Sequence, residues 1–250
     1  MNAMTSVSHF ACANHYLSRQ LILTRDDCPF GSEIKIQFDD SQALSHASCA
    51  LAAHEMSGIY SEVLMQTRLI AFSLKDRNIA SESKYLNRRF VCVRQSDLAD
   101  SALTEELIQS GDALRDLGQT LVIALNELPL SSISFTEKKK ILHNVYLLKD
   151  HGIEIALDDY NPHDESIEIF TTLNLFDYIK ISVSALESNL KLTGNPELFN
   201  RLHERMTMLT HNTKVAFIAD RVEQAASHIL ARALPFDFFQ GSHYSPADNL

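Results

Sequence analysis

From position 89 onward, apolar residues form short continuous runs, separated by segments in which they recur at helical spacing. Continuous runs bounded by polar or turn residues suit strands buried on both faces, and the 3–4 spacing suits helices with one inward stripe. The pattern predicts strands at Phe90–Val93, Leu121–Leu125, Ile153–Leu157, Tyr178–Ile181, Lys214–Ile218 and Phe236–Phe239. Between them it predicts helices at Ala102–Leu117, from Ser134 to Gly152, near Glu165–Leu173, from Pro196 onward, and at Glu223–Ala233. Local signals agree. Gly118 and Gly152 stand where a left-handed residue ends a helix, and Ser134-Phe135-Thr136-Glu137 has the spacing of a capping box. Asn195-Pro196 pairs an N-cap residue with a proline at the first helical position. Ile141, Leu142, Val145 and Leu148 share one helical face, as do Leu198, Phe199, Leu202, Met206 and Leu209.

Strands alternating with helices imply parallel βαβ units, and no Pro/Gly-rich linker interrupts those of the last two-thirds of the chain. Upstream, Gln20–Thr24 and Glu33–Phe38 read as two strands around a turn at Asp26–Gly31, which makes a hairpin. Residues 42–75 read as helical. The sum is an α/β fold, a (β/α)8 barrel with its first two strands antiparallel to each other. An open doubly wound sheet is the competitor, but no Gly-rich phosphate loop follows any strand. The chain reads as one domain over 1–250, with 1–16 as a flexible or variable N-terminal segment.

Composition narrows the function classes. At 250 residues and 45% hydrophobic, the chain can fill a barrel core and is not disordered. Its net charge of −10 and lack of a long basic run argue against direct nucleic-acid binding. Cys12, Cys28, Cys49 and Cys92 form no close pair, which favours a reducing compartment. Met1–Tyr16 lacks the pattern of a signal peptide, and no segment approaches the roughly 18 apolar residues of a membrane span. The expectation is a cytoplasmic protein with no membrane association.

In such barrels functional groups gather at the C-terminal ends of the strands. The polar residues predicted there are Asn126-Glu127, Asp158-Asp159, Lys180, Asp220 and Gln240-Gly241. Paired carboxylates suit divalent cations, which take several oxygen ligands. Such a set can hold two metals about 3.5–4 Å apart that activate water against a phosphodiester. Plainer readings stand beside this one. Asp158-Asp159 can be a strand-ending turn, Lys180 an ion pair with Asp158 or Asp159, and Gln240-Gly241 a tight turn. His46, Cys49 and His54 lack a fourth zinc ligand, and Cys92 suits a small buried apolar residue.

Four segments carry a family resemblance: Ile155-Ala156-Leu157-Asp158-Asp159-Tyr160, Asp177-Tyr178-Ile179-Lys180-Ile181, Ile218-Ala219-Asp220-Arg221-Val222-Glu223, and Phe238-Phe239-Gln240-Gly241 with Tyr244-Ser245. In order and spacing they resemble the EAL domains, which hydrolyse the bacterial second messenger cyclic di-GMP. The third segment is similar to the family's Val-Ala-Glu-Gly-Val-Glu. The resemblance is strong over residues 153–245 and weak before 120, and it implies a TIM-like barrel of EAL type. It further implies that Glu33 is the first metal-binding Glu, although the Ala-Leu that follows in the family motif is Ile34-Lys35 here. Asp158 and Asp159 become metal-site carboxylates, Lys180 the site lysine, and Asp220, one methylene shorter than the family's Glu, the candidate base. Gln20 and Gln240 become ligand-side glutamines, Glu127 a retained second Glu, and Glu223 a loop support.

Other positions depart from the family. Gln37 replaces the Arg that contacts the dinucleotide phosphate, Cys92 an Asn ligand, Ala124 a Glu ligand, and Ser182 an Asp. The loop Tyr160-Asn161-Pro162-His163-Asp164-Glu165-Ser166 lacks both glycines of the family's Phe-Gly-Thr-Gly-Tyr-Ser-Ser, and Pro162 fixes a φ angle. Losing two of roughly four oxygen ligands removes much of the affinity for a divalent ion. Losing the Arg forfeits a bidentate phosphate contact. The resemblance therefore implies a remnant site with no catalysis, no bound metal and no cofactor, in a regulator that acts by protein–protein interaction. It resembles stand-alone degenerate EAL proteins of enteric bacteria, which bind a subunit of the flagellar master transcription activator and block its contact with DNA. The expected partner is such a transcription regulator of motility or biofilm, whose basic DNA-binding face an acidic surface would suit. The alternatives are an active or weakly active Mg/Mn-dependent cyclic di-GMP phosphodiesterase, and a sensor that binds cyclic di-GMP without cleaving it. Gln37 counts against the sensor.

Overall fold

The computed structural model describes residues 15–38, 53–76, 87–126, 134–160, 175–193 and 196–250. β1 (His15–Thr24) and β2 (Pro29–Phe38) form the predicted hairpin, with Ile22 opposite Gly31 and Gln20 opposite Glu33. The turn between them closes by Asp27 in a left-handed conformation (φ 57°) and a Thr24 N–H to Cys28 carbonyl bond of 2.8 Å. α1 (Ala53–Asp76) follows, then β3 (Arg88–Arg94), a short 3₁₀ turn at Gln95–Ala99, α2 (Ser101–Asp116) and β4 (Thr120–Asn126). α3 (Phe135–Asp150), β5 (Glu154–Asp158), β6 (Tyr178–Ser182), α4 (Val183–Thr193) and α5 (Pro196–Asn212) come next. The chain ends with β7 (Ala216–Asp220), α6 (Ala225–Ala233), β8 (Phe238–Gln240) and a two-residue β9 (Asp248–Asn249).

β2 to β8 run parallel in sequence order, and β1 closes the ring by pairing antiparallel with both β2 and β8. β9 adds to β1 beside Ser18 and Arg19. The ring is a closed eight-strand barrel wrapped by helices, so the open doubly wound alternative is excluded.

Helix ends follow their local chemistry. Asp100 caps α2 by accepting from the Ala102 N–H at 2.9 Å, and Ser134 with Glu137 completes the predicted capping box on α3. α2 and α3 both end in Schellman geometry. Gly118 and Gly152 sit at φ 74° and 73°, and the following N–H groups of Gln119 and Ile153 reach back to the Leu114 and Leu148 carbonyls. Ile153 and Leu148, both buried, supply the hydrophobic contact that goes with this cap.

Several boundaries differ from those the pattern predicts. β7 begins at Ala216 and continues to Asp220, β8 is shifted to Phe238–Gln240, and α6 begins at Ala225, which leaves Glu223 in the connection. The Asp177 and Asp237 carboxylates accept from the N–H groups of Ile155 and Phe217 on the neighbouring strands, so each closes the strand entrance before its own strand starts. The apolar pattern does not predict α4. Its Val183 and Leu186 are buried, and Ser182 Oγ accepts from the Ala185 N–H at 3.4 Å at its first turn. The predicted helix near Glu165–Leu173, the loop 161–166, Glu127, Asn195, His46 and Cys49 lie outside the described residues.

Two apolar layers hold the barrel. The outer one packs the strands' outward faces against the helices, with Leu107, Leu114, Leu148, Ile155, Ile179 and Phe217 fully enclosed. The inner one fills the barrel with Ile22, Phe90, Val122, Ala124, Ala156, Tyr178 and Ile218. Its N-terminal end is plugged by rings. Phe30 stacks on Phe238 with centroids 3.7 Å apart, and Tyr178 sits edge-on to Phe90 at 5.5 Å. Below them Arg88 joins Glu154 at 3.0 Å and the Tyr178 hydroxyl at 2.7 Å. With that end sealed, the opposite end is where the polar groups collect. Among the described residues no helix is long and apolar enough to cross a membrane.

Candidate functional site

Because side chains alternate between the faces of a strand, residues two apart on one strand share the barrel interior. β2 thus directs Glu33 and Lys35 inward, β3 Cys92 and Arg94, β4 Ala124 and Asn126, and β5 Ala156 and Asp158. Parallel register sets Cys92, Ala124 and Ala156 in one row, and Arg94, Asn126 and Asp158 in the row above it. β6 brings Lys180 and Ser182, β7 Asp220 level with Ser182, and β8 Gln240. Over these residues lies a cavity of about 270 Å³. Its walls include Glu33, Lys35, Cys92, Asn126, Asp158 and Asp220.

Charged groups meet at the cavity floor. Lys180, with no exposed surface, donates to Glu33 Oε1 at 2.8 Å and lies 3.4 Å from Asp158 Oδ1 and 3.9 Å from Asp220 Oδ2. Lys35 Nζ stands 3.4 Å from Glu33 Oε2 and 3.4 Å from Asp220 Oδ1. Gln240 donates to Glu33 Oε2 at 2.7 Å and to Gln20 Oε1 at 3.4 Å, and Gln20 donates to the Ser245 carbonyl at 3.1 Å. Both Glu33 oxygens are therefore engaged by cationic or amide donors.

Burial and charge oppose one another here. Burial raises the Glu33 carboxyl, but Lys180, Lys35 and the Gln240 amide outweigh it and hold the group well below its ordinary 4.5. Burial likewise disfavours the Lys180 and Lys35 ammonium groups, and the surrounding carboxylates overcome it, so both stay charged. Asp158 goes the other way. Burial raises it, and the nearby Glu33 and Asp220 carboxylates add to that against the pull of the two lysines. The Cys92 thiol is pushed upward by burial and then by Asp158 and Glu33, so it stands as a neutral thiol.

The strand ends around the mouth are held in unusual backbone. Asp159 and Arg221, the residues after β5 and β7, both adopt left-handed conformations with φ 53° and 55°. Asp158 Oδ1 accepts from the Asp159 N–H at 2.9 Å, and the Asp159 carboxylate turns outward toward Arg221 at 3.7 Å. Gly241, at φ 150°, lies so close to Val222 that an added Cβ would meet the Val222 carbonyl oxygen at 2.2 Å. Only glycine fits there.

The sequence expectations fare unevenly. Glu33, Asp158, Lys180, Asp220 and Gln240 meet at the floor, with Gln20 behind them. Lys180 was expected to pair with Asp158 or Asp159. It does pair with Asp158 at 3.4 Å, but its nearest carboxylate is Glu33 at 2.8 Å, and Asp159, in left-handed backbone, faces Arg221 at the rim instead. Gln37 does not line the cavity walls. Its amide donates sideways to Ser18 Oγ at 3.0 Å on β1. Ser182 is buried and spent on α4. The family resemblance marks none of Lys35, Arg94, Arg221 and Tyr60 as site residues. Lys35 had a readable signal, since it stands two residues beyond Glu33 on an alternating strand. Tyr60 did not, because its hydroxyl reaches Asp97 at 2.8 Å and the Arg94 N–H at 3.1 Å only through folding of α1 onto β3. Among the described residues no group of three or more His, Cys, Asp and Glu side chains is arranged to hold a metal ion.

The EAL domain family matches residues 34–247, from within β2 through β8, and the chain belongs to that family. Among curated proteins it is similar to the exotoxin A regulatory protein of Pseudomonas aeruginosa, at 25% identity over 176 residues, covering 66% of this chain and 62% of that protein. The chain thus spans about three-fifths of the length of this curated relative. Among solved structures, the EAL enzyme Bd1971 with cAMP and cyclic di-GMP bound superposes with a TM-score of 0.71 at 15% identity, over 94% of this chain and 62% of that one. The Bacillus subtilis YkuI protein, with its EAL domain in complex with substrate cyclic di-GMP and calcium, gives a TM-score of 0.67 at 15% identity, over 94% of this chain and 55% of that one. At these identities the superpositions establish the barrel and not its chemistry.

Proposed function

We propose that this protein is a non-catalytic EAL regulator that acts by binding another protein, a transcription regulator of motility or biofilm. The observation that carries the reading is the row Cys92, Ala124, Ala156 across three adjacent strands, one level below Asp158. A thiol held neutral and two methyl groups offer no hard oxygen donor at that level of the barrel, below Asn126 and Asp158. The family's metal would have to be held by Glu33, Asp158, Asp159, Asp220 and the Asn126 amide oxygen, all in the cavity wall. Of these, Glu33 and Asp220 face ammonium groups and Asp159 faces Arg221, so the donor set does not fit a divalent centre. Without that ion the water attacking a phosphodiester lacks its activating charge. Asp220, already engaged by Lys35, is poorly placed to act as base.

Phosphate recognition is weakened as well. Gln37 carries no charge and is bonded to Ser18 on β1. The similarity to a protein described as regulatory supports a regulator in place of an enzyme. The acidic balance of −10 suits a partner with a basic face. The test mixes the purified protein with the flagellar master activator bound to its operator DNA. Release of the DNA as the protein is titrated in supports the partner assignment, and unchanged binding at saturating protein removes it.

A further inference from the structure

We propose that the Lys35 ammonium is the resident cation of this site, holding Glu33 and Asp220 together in the place a divalent ion would need. It rests on three observations. Lys35 extends from β2 on the same face as Glu33 and reaches across the mouth to β7, so its Nζ bridges Glu33 Oε2 and Asp220 Oδ1 at 3.4 Å each. A divalent ion between those carboxylates would meet this charge and the Lys180 charge within a few ångströms, in a cavity where like charges are weakly screened. The side chain also lines the cavity wall beside Glu33, so its charge stands where an entering cation would approach that carboxylate.

Charge counting gives the consequence. Glu33, Asp158 and Asp220 carry three carboxylates against the two ammonium groups of Lys35 and Lys180. With Lys35 in place the cluster is one negative charge from neutral, and a divalent ion would overshoot. Without Lys35 the excess is two negative charges, which one divalent ion matches. Lys35 therefore makes the cluster independent of metal and sets its specificity against Mg²⁺ and Mn²⁺. This deepens the non-catalytic reading and is tested apart from it, because metal uptake and cyclic di-GMP cleavage are read by different measurements.

The experiment titrates Mn²⁺ alone into wild type, Lys35→Met and Lys35→Arg, following free Mn²⁺ by electron paramagnetic resonance and stability by thermal melting. Wild type and Lys35→Arg are expected to leave the free Mn²⁺ signal and the melting temperature unchanged. Lys35→Met is expected to melt about 3 °C or more lower in metal-free buffer. Mn²⁺ should restore it, with an affinity at least about tenfold above that of wild type. Equal Mn²⁺ uptake by wild type and Lys35→Met overturns the proposal, as does no uptake by a folded Lys35→Met. Should Lys35→Met not fold without metal, refolding on addition of Mn²⁺ supports the proposal and failure to refold overturns it.

Discussion

Lys180 and Glu33, 147 positions apart in sequence, form a buried 2.8 Å ion pair at the cavity floor. It ties β6 to β2 across the barrel. A buried ion pair is weak evidence of net stabilisation, but breaking one by removing a single partner is costly. Glu33→Gln is therefore expected to lower unfolding free energy by about 3 kcal/mol. In Glu33→Gln/Lys180→Met the two losses should be strongly non-additive, because neither Glu33 nor Lys180 is left as a buried charge facing a missing partner. Urea denaturation of the two single variants and the double variant measures the coupling, and simple additivity would contradict the pairing.

The same residue sets the acid limb of stability. The Glu33 carboxyl is held below its ordinary 4.5 in the folded barrel, so the unfolded state binds its proton first as pH falls. The stabilisation from ionised Glu33 is complete above the unfolded value and is lost as pH drops from about 4.5 toward the lowered folded value. Unfolding free energy measured from pH 6 down to about pH 3 should fall more steeply for wild type than for Glu33→Gln over that window. Parallel curves would contradict the assignment.

Arg221 occupies a left-handed conformation at φ 55°, at the position where the EAL family motif carries Gly. The strain on a non-glycine residue there is about 1–2 kcal/mol, and its exposed partner Asp159, at 3.7 Å, offsets little of it. After allowing for the greater unfolded-state freedom of glycine, Arg221→Gly is expected to gain about 0.5–1 kcal/mol. A loss measured by thermal unfolding would show that the Asp159 contact is worth more than exposed ion pairs usually are.

Gly241 gives the opposite expectation. Its φ of 150° and the 2.2 Å approach of a would-be Cβ to the Val222 carbonyl leave no room for a methyl group. Gly241→Ala should cost about 3 kcal/mol and shift the β7–β8 connection. Unfolding by urea reads the cost, and a change below 1 kcal/mol would contradict the close approach.

The second half of the barrel is legible in the sequence because parallel strands buried on both faces read as unbroken apolar runs, and because Gly118, Gly152 and the Ser134–Glu137 box mark helix ends. Element limits are less legible where tertiary bonds set them, as at Asp177 and Asp237, whose carboxylates close neighbouring strands. α4 is hidden by its Ser, Asn and Thr content, and what stabilises it is burial of Val183 and Leu186. In the site, the residues shared with the family and the losses at Gln37, Cys92, Ala124 and Ser182 are legible, but the new partnership of Lys35 is not. Lys35 lies in a motif whose family form has an apolar residue there. Its role depends on where β7 places Asp220, a distance of 185 positions that no local pattern encodes.

The proposal that the ammonium-filled mouth does not hydrolyse cyclic di-GMP is open to a direct test. The most direct measurement incubates the purified protein at high concentration with cyclic di-GMP and either Mg²⁺ or Mn²⁺, and separates the products by chromatography. The cyclic dinucleotide is expected to be recovered intact at every metal concentration. Metal-dependent formation of the linear dinucleotide by wild-type protein would contradict it.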